Sequence, residues 1–273
     1  MRDPSGWDKA AHEVEKKKAY GGTMSQEMVY PAMHGLLGDL KGLNVLDLAC
    51  GQGFFTRTLA KKGAKVVAVE ISEGMLGRAA EAEERERLGI RYLRMDATKL
   101  EGIRAGSFDA VSCNMALHDI EHANLAMKES FRALRRGGSF VFSILHPLMD
   151  SVRPGDYGRD SKGRFVKVRL YGRQYALPHR TYGRFGVKMY HRPIGYYVEG
   201  LADAGFVISG FREIPLRHAQ GLDGLARFVA FGINSVFPGL LDTPLRHKPI
   251  TDRRKLEFAE NFPLILAVRA RKP

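Results

Sequence analysis

The sequence predicts a doubly wound α/β fold with a mainly parallel sheet, and three observations predict it. Apolar strand-like runs alternate with helix-like runs on a short repeat from residue 44 to 145, the pattern of parallel strands joined by crossovers. The first pair is joined by a glycine-rich turn, "VLDLACGQGFFTRTLA" at residues 45–60, an order of strand, tight turn and helix that sets backbone N–H groups beside a ligand. After His146-Pro147 the rhythm breaks for roughly 45 basic, aromatic and glycine-rich residues. That is too long for a structureless loop, so a lid or small subdomain is expected after the fifth strand.

Each element follows from its own signal. Residues 7–40 read as helical in two stretches separated by Gly21-Gly22, with Ser25 placed to cap the second. "NVLDLA" is a strand and "FTRTLAKKG" a helix closed by Gly63. "KVVAVEIS" is the second strand, and "EGMLGRAAEAEERERLG" a charged helix with Ser72 as its cap. "IRYLRMDA" and "FDAVSCNMAL" are the third and fourth strands, with Asp109 and Asp119 near the ends of the fourth. "ANLAMKESFRALRRGG" is a helix ending on a glycine pair, and "SFVFSIL" the fifth strand. Beyond the break, "RPIGYYVEGLADAGF" is a helix ending at Gly205; "VISGFREIPL" and "FPLILAVRA" bring the count of strands to seven.

The chain has 273 residues, enough to bury a substantial core. No apolar run approaches the ~18 residues of a membrane span, and "MRDPSGWDKAAHEVEKKKAY" lacks the apolar core of a secretion signal. Cys50 and Cys113 are too few for a disulfide framework, so a cytoplasmic protein is expected. The nine histidines show no metal-site spacing. The net charge of +13 points to acidic partners such as nucleic acid, an anionic metabolite or an anionic surface. Residues 151–194 hold eleven Lys or Arg against Asp156 and Asp160, interleaved with seven Tyr or Phe. A generally basic surface is the competing explanation.

Three carboxylates stand at successive strand ends: Asp47, Glu70 and Asp96. In an open parallel sheet, ligands bind beyond the carboxyl ends of the strands where the winding reverses. A dinucleotide fingerprint needs a third glycine, and "GQGFFT" has Thr56 in that place. Glu70 suits a ribose diol in either case. Asp96 suits an exocyclic adenine amine, and Asp47 brings like charge towards a pyrophosphate. A ligand with a cationic amino-acid end fits better.

Together "VLDLACGQG", "VVAVEIS", "MDATKL", "FDAVSCNMALHDI" and "ALRRGGSFVFSILHP" resemble the ordered motifs of class I S-adenosylmethionine-dependent methyltransferases over about residues 41–147, with a weaker likeness at 193–215 to small-molecule members. The resemblance implies S-adenosyl-L-methionine as cofactor and a Rossmann-like core. It implies that Asp47 orients the glycine turn and the amino-acid end, and that Gly51 and Gly53 let the backbone approach. Glu70 would accept from the ribose hydroxyls, Ile71 and Met75 would pack on the adenine, and Asp96 with Ala97 would read its edge. Asn114 and Met115 would border the methyl group, and Ala49 completes the cofactor set. The implied division is a helical cap over 1–40, the cofactor-binding core over 41–147, a basic aromatic lid over 148–192 and a C-terminal part over 193–273 that completes the sheet.

Methyl transfer is a displacement at an activated carbon, in which the protein holds the nucleophile in line. A base is optional for a free amine and useful for a hydroxyl. His118 and His146, after the fourth and fifth strands, are the catalytic candidates; a structural histidine bonding a loop carbonyl is the competing reading for each. His179, Tyr182 and His191 are candidate substrate contacts. The fourth strand reads "CNMALHD" and lacks the Asn-Pro-Pro-aromatic pattern of exocyclic-amine methyltransferases. Three readings follow. The first is methylation of O, N or C of a small anionic or aromatic metabolite. The second is a tRNA or rRNA methyltransferase using the basic insertion, and the third a non-catalytic cofactor-binding module.

Overall fold

A computed structural model of the chain describes residues 5–17, 25–151, 157–161, 163–215 and 263–273. Expectations for residues 18–24, 152–156, 162 and 216–262, among them the Gly21-Gly22 break, Arg153 and Asp156, lie outside the described residues.

The strands in chain order are β1 (Asn44–Leu48), β2 (Lys65–Glu70), β3 (Arg91–Arg94), β4 (Phe108–Asn114) and β5 (Leu134–Leu145). Two antiparallel hairpins follow, β6 (Tyr157–Asp160) with β7 (Gly163–Val166) and β8 (Tyr175–Pro178) with β9 (Lys188–His191), and then β10 (Val207–Pro215) and β11 (Pro263–Arg271). Seven of them form one sheet in the order β10-β11-β5-β4-β1-β2-β3. β1 to β5 pair in parallel, and β11 runs antiparallel between β5 and β10. The winding reverses between β1 and β4, the place where such sheets bind ligands. The two strands at the sheet edges differ: β3 has four residues, RYLR, whereas β10 has nine with register breaks at Ile208/Gly210 and Ile214/Pro215.

Helices cover both faces: α1 (Ser5–Lys17), α2 (Tyr30–Leu37), α3 (Phe54–Lys61), α4 (Glu73–Glu86), α5 (Ala123–Ala133), the short α6 (Leu148–Ser151) and α7 (Ile194–Asp203). Successive strand residues point to opposite faces. Val45 therefore joins Met33, Leu36 and Leu59 on one side, while Leu46 and Leu48 join Met127, Phe140, Phe142 and Leu201 on the other. Burial on both faces explains the continuous apolar character of β1 and β4. Ser72 caps α4, its hydroxyl accepting from Met75 N at 3.1 Å.

Several boundaries differ from the sequence expectation. Ser25 opens a π-helical turn (Ser25–Val29) that runs into α2, and helix ends at Leu37. The fourth strand stops at Asn114 because Met115 turns to a left-handed φ of 54°. α5 ends at Ala133, and β5 already begins at Leu134.

α1 lies against α4 and the segment before β9. Asp8 Oδ1 accepts from the Ser72 hydroxyl at 2.6 Å and Gly74 N at 2.9 Å, and Gln52 donates to the Ala11 carbonyl at 2.6 Å. Ala10, Val14, Met75, Tyr182 and Val187 form a small apolar cluster across these elements.

Candidate active site

A cavity of about 550 Å³ opens at the carboxyl ends of β1, β2, β3 and β4, roofed by α1 and β9. The turn after β1 shapes its floor. Ala49 has φ 49° and Gly51 φ 55°, so the chain folds back through left-handed conformations directly after the strand. Met115 makes the matching turn after β4, held by Met115 N donating to the Ser143 carbonyl at 2.9 Å and hydroxyl at 3.0 Å. Left-handed φ at a residue with a side chain costs about 1–3 kcal/mol and concentrates at functional sites; here two such residues flank the point where the winding reverses. A Cβ added at Gly51 meets no protein atom within 4 Å. The turn is thus open on its ligand side.

The three strand-end acids differ in how they are satisfied. Asp47 is 1% exposed and accepts from the hydroxyls of Thr56 and Ser112, both at 2.6 Å. Burial pushes its carboxyl up to about 6, against those two hydrogen bonds. Glu70 accepts from three backbone N–H groups: Ile71 and Ser72 on Oε1 and Gly51 on Oε2, each at 2.9 Å. It therefore pins the glycine turn, and Oε2 keeps acceptor capacity for a ligand hydroxyl. Its pKa is raised, because burial outweighs the three donors. Asp96 Oδ1 accepts from Thr98 N at 2.8 Å and the Thr98 hydroxyl at 2.7 Å.

Of the residues singled out for the cofactor, Asp47, Ala49, Gly51, Glu70, Ile71, Met75, Asp96, Ala97, Asn114 and Met115 all line this cavity. Gly53 is not among the lining residues. Its φ is 71°, and an added Cβ would run into the Tyr92 hydroxyl, so its constraint is packing inside the protein. Gly53→Ala is expected to lower stability by about 1–3 kcal/mol, read as a lower denaturant midpoint at unchanged slope.

The histidine and tyrosine candidates do not line the cavity. His146 Nε2 bonds Glu213 Oε1 at 2.9 Å, and its Nδ1 accepts from Leu148 N at 3.2 Å. It ties β5 to β10, and burial lowers its pKa. His179 Nδ1 accepts from the N–H groups of Thr181 and Tyr182, both at 3.1 Å, and its ring meets Trp7 and Tyr182. Burial presses it down to about 3. His191 bonds the Tyr171 carbonyl at 3.1 Å and stacks on Tyr175. His118 is buried behind the wall, held down to about 4 by burial, with Nδ1 lacking a partner. In each histidine a fixed position in the packing takes the place of contact with the cavity.

Sequence reasoning missed the wall of the cavity opposite the glycine turn. Asp119, Ile120 and Glu121 line it from the loop after β4, and Lys188 and Tyr190 from β9. Trp7 and Lys9 of α1 and Tyr30 of α2 also contribute. The loop after β4 is held by Arg192, whose Nη1 donates to the Leu117 carbonyl at 3.2 Å. Its Nη2 donates to the carbonyls of Ile120 at 2.8 Å and Glu121 at 2.6 Å. Tyr190 N donates to the His118 carbonyl at 2.7 Å. β9 is thereby sewn to that loop. Arg180 binds Asp150 at 2.6 Å and Arg184 pairs with Glu13 at 3.1 Å. Arg180, Arg184 and Arg192 are thus engaged within the chain.

A family profile described as "Methyltransferase domain" matches residues 46–142. A Haemophilus influenzae protein described as uncharacterized is 27% identical over 207 residues, 73% of this chain and 81% of that protein. A demethylmenaquinone methyltransferase from Lactococcus lactis is 36% identical over 41% of this chain and 46% of that protein. A ubiquinone biosynthesis O-methyltransferase from Methylococcus capsulatus is 32% identical over 39% and 45%. The matches span less than half the length of those two enzymes. Among solved structures, an S-adenosylmethionine-dependent methyltransferase from Mesorhizobium loti superposes with a TM-score of 0.63 at 28% identity, covering 92% of this chain and 98% of that one.

Proposed function

We propose, since this chain belongs to the class I S-adenosylmethionine-dependent methyltransferases, that it methylates O, N or C of a small anionic or aromatic metabolite. The observation that carries the reading is the single cavity joining the glycine turn and the three strand-end acids to a separate wall from the lid. The open space at Gly51 and the set of carboxylate acceptors fit S-adenosyl-L-methionine, with its cationic amino-acid end, ribose diol and adenine amine. When bound, that cofactor supplies a sulfonium-activated methyl group. Asp47 then offsets the cationic end, Glu70 takes the ribose hydroxyls and holds the turn, Ile71 and Met75 cover the adenine, and Asp96 and Ala97 read its edge. Asn114 and Met115 stand at the methyl end. In this reading residues 1–40 are a cap, 41–147 the cofactor core, 148–192 the lid and 193–273 the completion of the sheet.

The opposite wall supports the acceptor class. Lys9 and Lys188 offer cationic groups, and Trp7, Tyr30 and Tyr190 offer rings. Two relatives carry names from quinone chemistry, which supports an aromatic acceptor. The RNA reading is weakened because Arg180 and Arg192 serve the lid's own attachment. Among the described residues no helix is long and apolar enough to cross a membrane. We place the protein in the cytoplasm.

The test combines titration with S-adenosylhomocysteine and transfer of a labelled methyl group to a small-metabolite extract and, separately, to tRNA. Label in the metabolite fraction is the expected result; label in tRNA alone would overturn the acceptor class. With the same assay, His146→Gln is expected to keep transfer within a few-fold while lowering the melting temperature. Its bonds to Glu213 and Leu148 are structural.

A further inference from the structure

The geometry points to Asp119 as the general base of the transfer, and hence to a hydroxyl as the methyl acceptor. The inference rests on the methyl-transfer reading and deepens it. The three strand-end acids have their donors, two hydroxyls on Asp47, three N–H groups on Glu70 and two Thr98 groups on Asp96, and Glu121, the other acid of the loop, is exposed to water. Asp119 lines the same cavity with its side chain only 7% exposed, and its Oδ1 is buried without any hydrogen-bond partner. A buried oxygen of this kind is costly unless something fills the role. The loop cannot fill it. Arg192 takes the carbonyls of Leu117, Ile120 and Glu121, and Tyr190 N takes that of His118. Asp119 N donates to the Ala116 carbonyl at 2.9 Å, so these loop groups are paired while Oδ1 is not.

The charges around it favour proton uptake. Burial raises its proton affinity well above that of an ordinary aspartate; Arg192 opposes this, and Asp150 and Glu70 add to it. His118 Nε2 stands 3.8 Å from Oδ1, beyond hydrogen-bond reach, and burial keeps that ring neutral near pH 7, with Asp150 raising and Arg192 lowering its pKa. His179, further along, is likewise held neutral, by burial first and by His118 and Arg180 next. The proton therefore goes to Asp119 rather than to His118.

The acceptor oxygen bonds the methyl carbon while the carbon–sulfur bond breaks, its electron pair staying on sulfur. The acceptor O–H bond breaks, and its proton goes to the Asp119 carboxylate, which later returns it to solvent. A free amine has its lone pair ready and a carboxylate acceptor is already ionised, so neither needs this group.

Asp119→Asn keeps the shape and removes the base. With the labelled donor and the small-metabolite extract that wild type labels, kcat is expected to fall about a hundredfold or more, with KM and S-adenosylhomocysteine affinity little changed. Asp119→Glu restores part of the rate, and the Asn variant recovers at high pH as the hydroxyl ionises unaided. Retention of kcat in Asp119→Asn, or loss of S-adenosylhomocysteine affinity in step with activity, would overturn the assignment. The labelled product is expected to be an ether stable to mild alkali; released methanol or a basic N-methyl product counts against it. Failure of the broader reading shows itself separately, as wild type that labels nothing. The 13C carboxyl resonance of Asp119, assigned by its absence in Asp119→Asn, adds a second check: a midpoint above the ordinary aspartate range supports the inference, and one within or below that range overturns it.

Discussion

Asp47→Asn is expected to raise heat stability at pH 8 while weakening S-adenosylhomocysteine binding about ten- to a hundredfold. The two effects share one cause. Asp47 is fully enclosed, and its carboxyl is pushed up from an ordinary 3.8 to about 6 by burial. A carboxyl with a raised folded pKa stabilises the native state below its unfolded value and loses that contribution as pH rises through the folded value. Wild type should therefore lose stability between about pH 4 and 7 on account of this group. Asn has no charge to desolvate, and its amide can accept from one of the Thr56 and Ser112 hydroxyls and donate to the other. A net gain of about 1–3 kcal/mol at pH 8 follows, a rise of several degrees in a chain of this length. On the proposed reading the affinity falls because the negative charge that would face the cationic end of the ligand is gone. Melting curves of both proteins at pH 5 and pH 8 check this: the gap should widen with pH, and a variant less stable at both would contradict the account.

Glu70→Ala should behave in the opposite sense on stability and in the same sense on binding. The carboxylate holds Gly51 N, Ile71 N and Ser72 N together. Its pKa is raised, so those donors do not fully offset its burial. Alanine removes the charge but leaves the donors without an acceptor, and that second effect dominates because unpaired buried donors cost more than a hydrogen bond gains. A loss of about 2–4 kcal/mol is expected, together with at least a hundredfold loss of S-adenosylhomocysteine affinity as the turn slackens and the ribose acceptor disappears. Glu70→Gln, with one oxygen left to accept, should fall between. Denaturant unfolding separates the stability part from the binding part seen by calorimetry.

Much of this arrangement was legible because its signals are local. Strand and helix periods, the glycine turn and the Ser72 cap are written within a few neighbouring residues, and the sheet and the strand-end acids follow from them. The side chains of the acceptor wall obey a different rule. Asp119 sits where it does because Arg192, more than seventy residues on, grips three carbonyls of its loop. No spacing within "CNMALHDIEH" encodes that grip. His118 and His146 drew notice for their chemistry and their place after strands, but the packing of β10 and β9 turned both away from the cavity. Gly53 shows a third case. The need for glycine was legible, whereas its reason, the ring of Tyr92, belongs to a strand nearly forty residues further along.

The two ends of the central sheet carry a consequence for behaviour at high concentration. An edge strand offers unpaired N–H and C=O groups to any passing strand, which is a route to aggregation. β3 is four residues long and begins and ends with Arg91 and Arg94, too short and too charged to seed a long ladder. Among the described residues β10 is the other edge; it is longer and exposes Val207 and Phe211 beside Arg212 and Glu213, but its register breaks twice and it ends on Pro215. Irregularity guards one edge, brevity and like charge the other. A sheet with an almost wholly apolar interior is thereby kept from growing by one strand at a time.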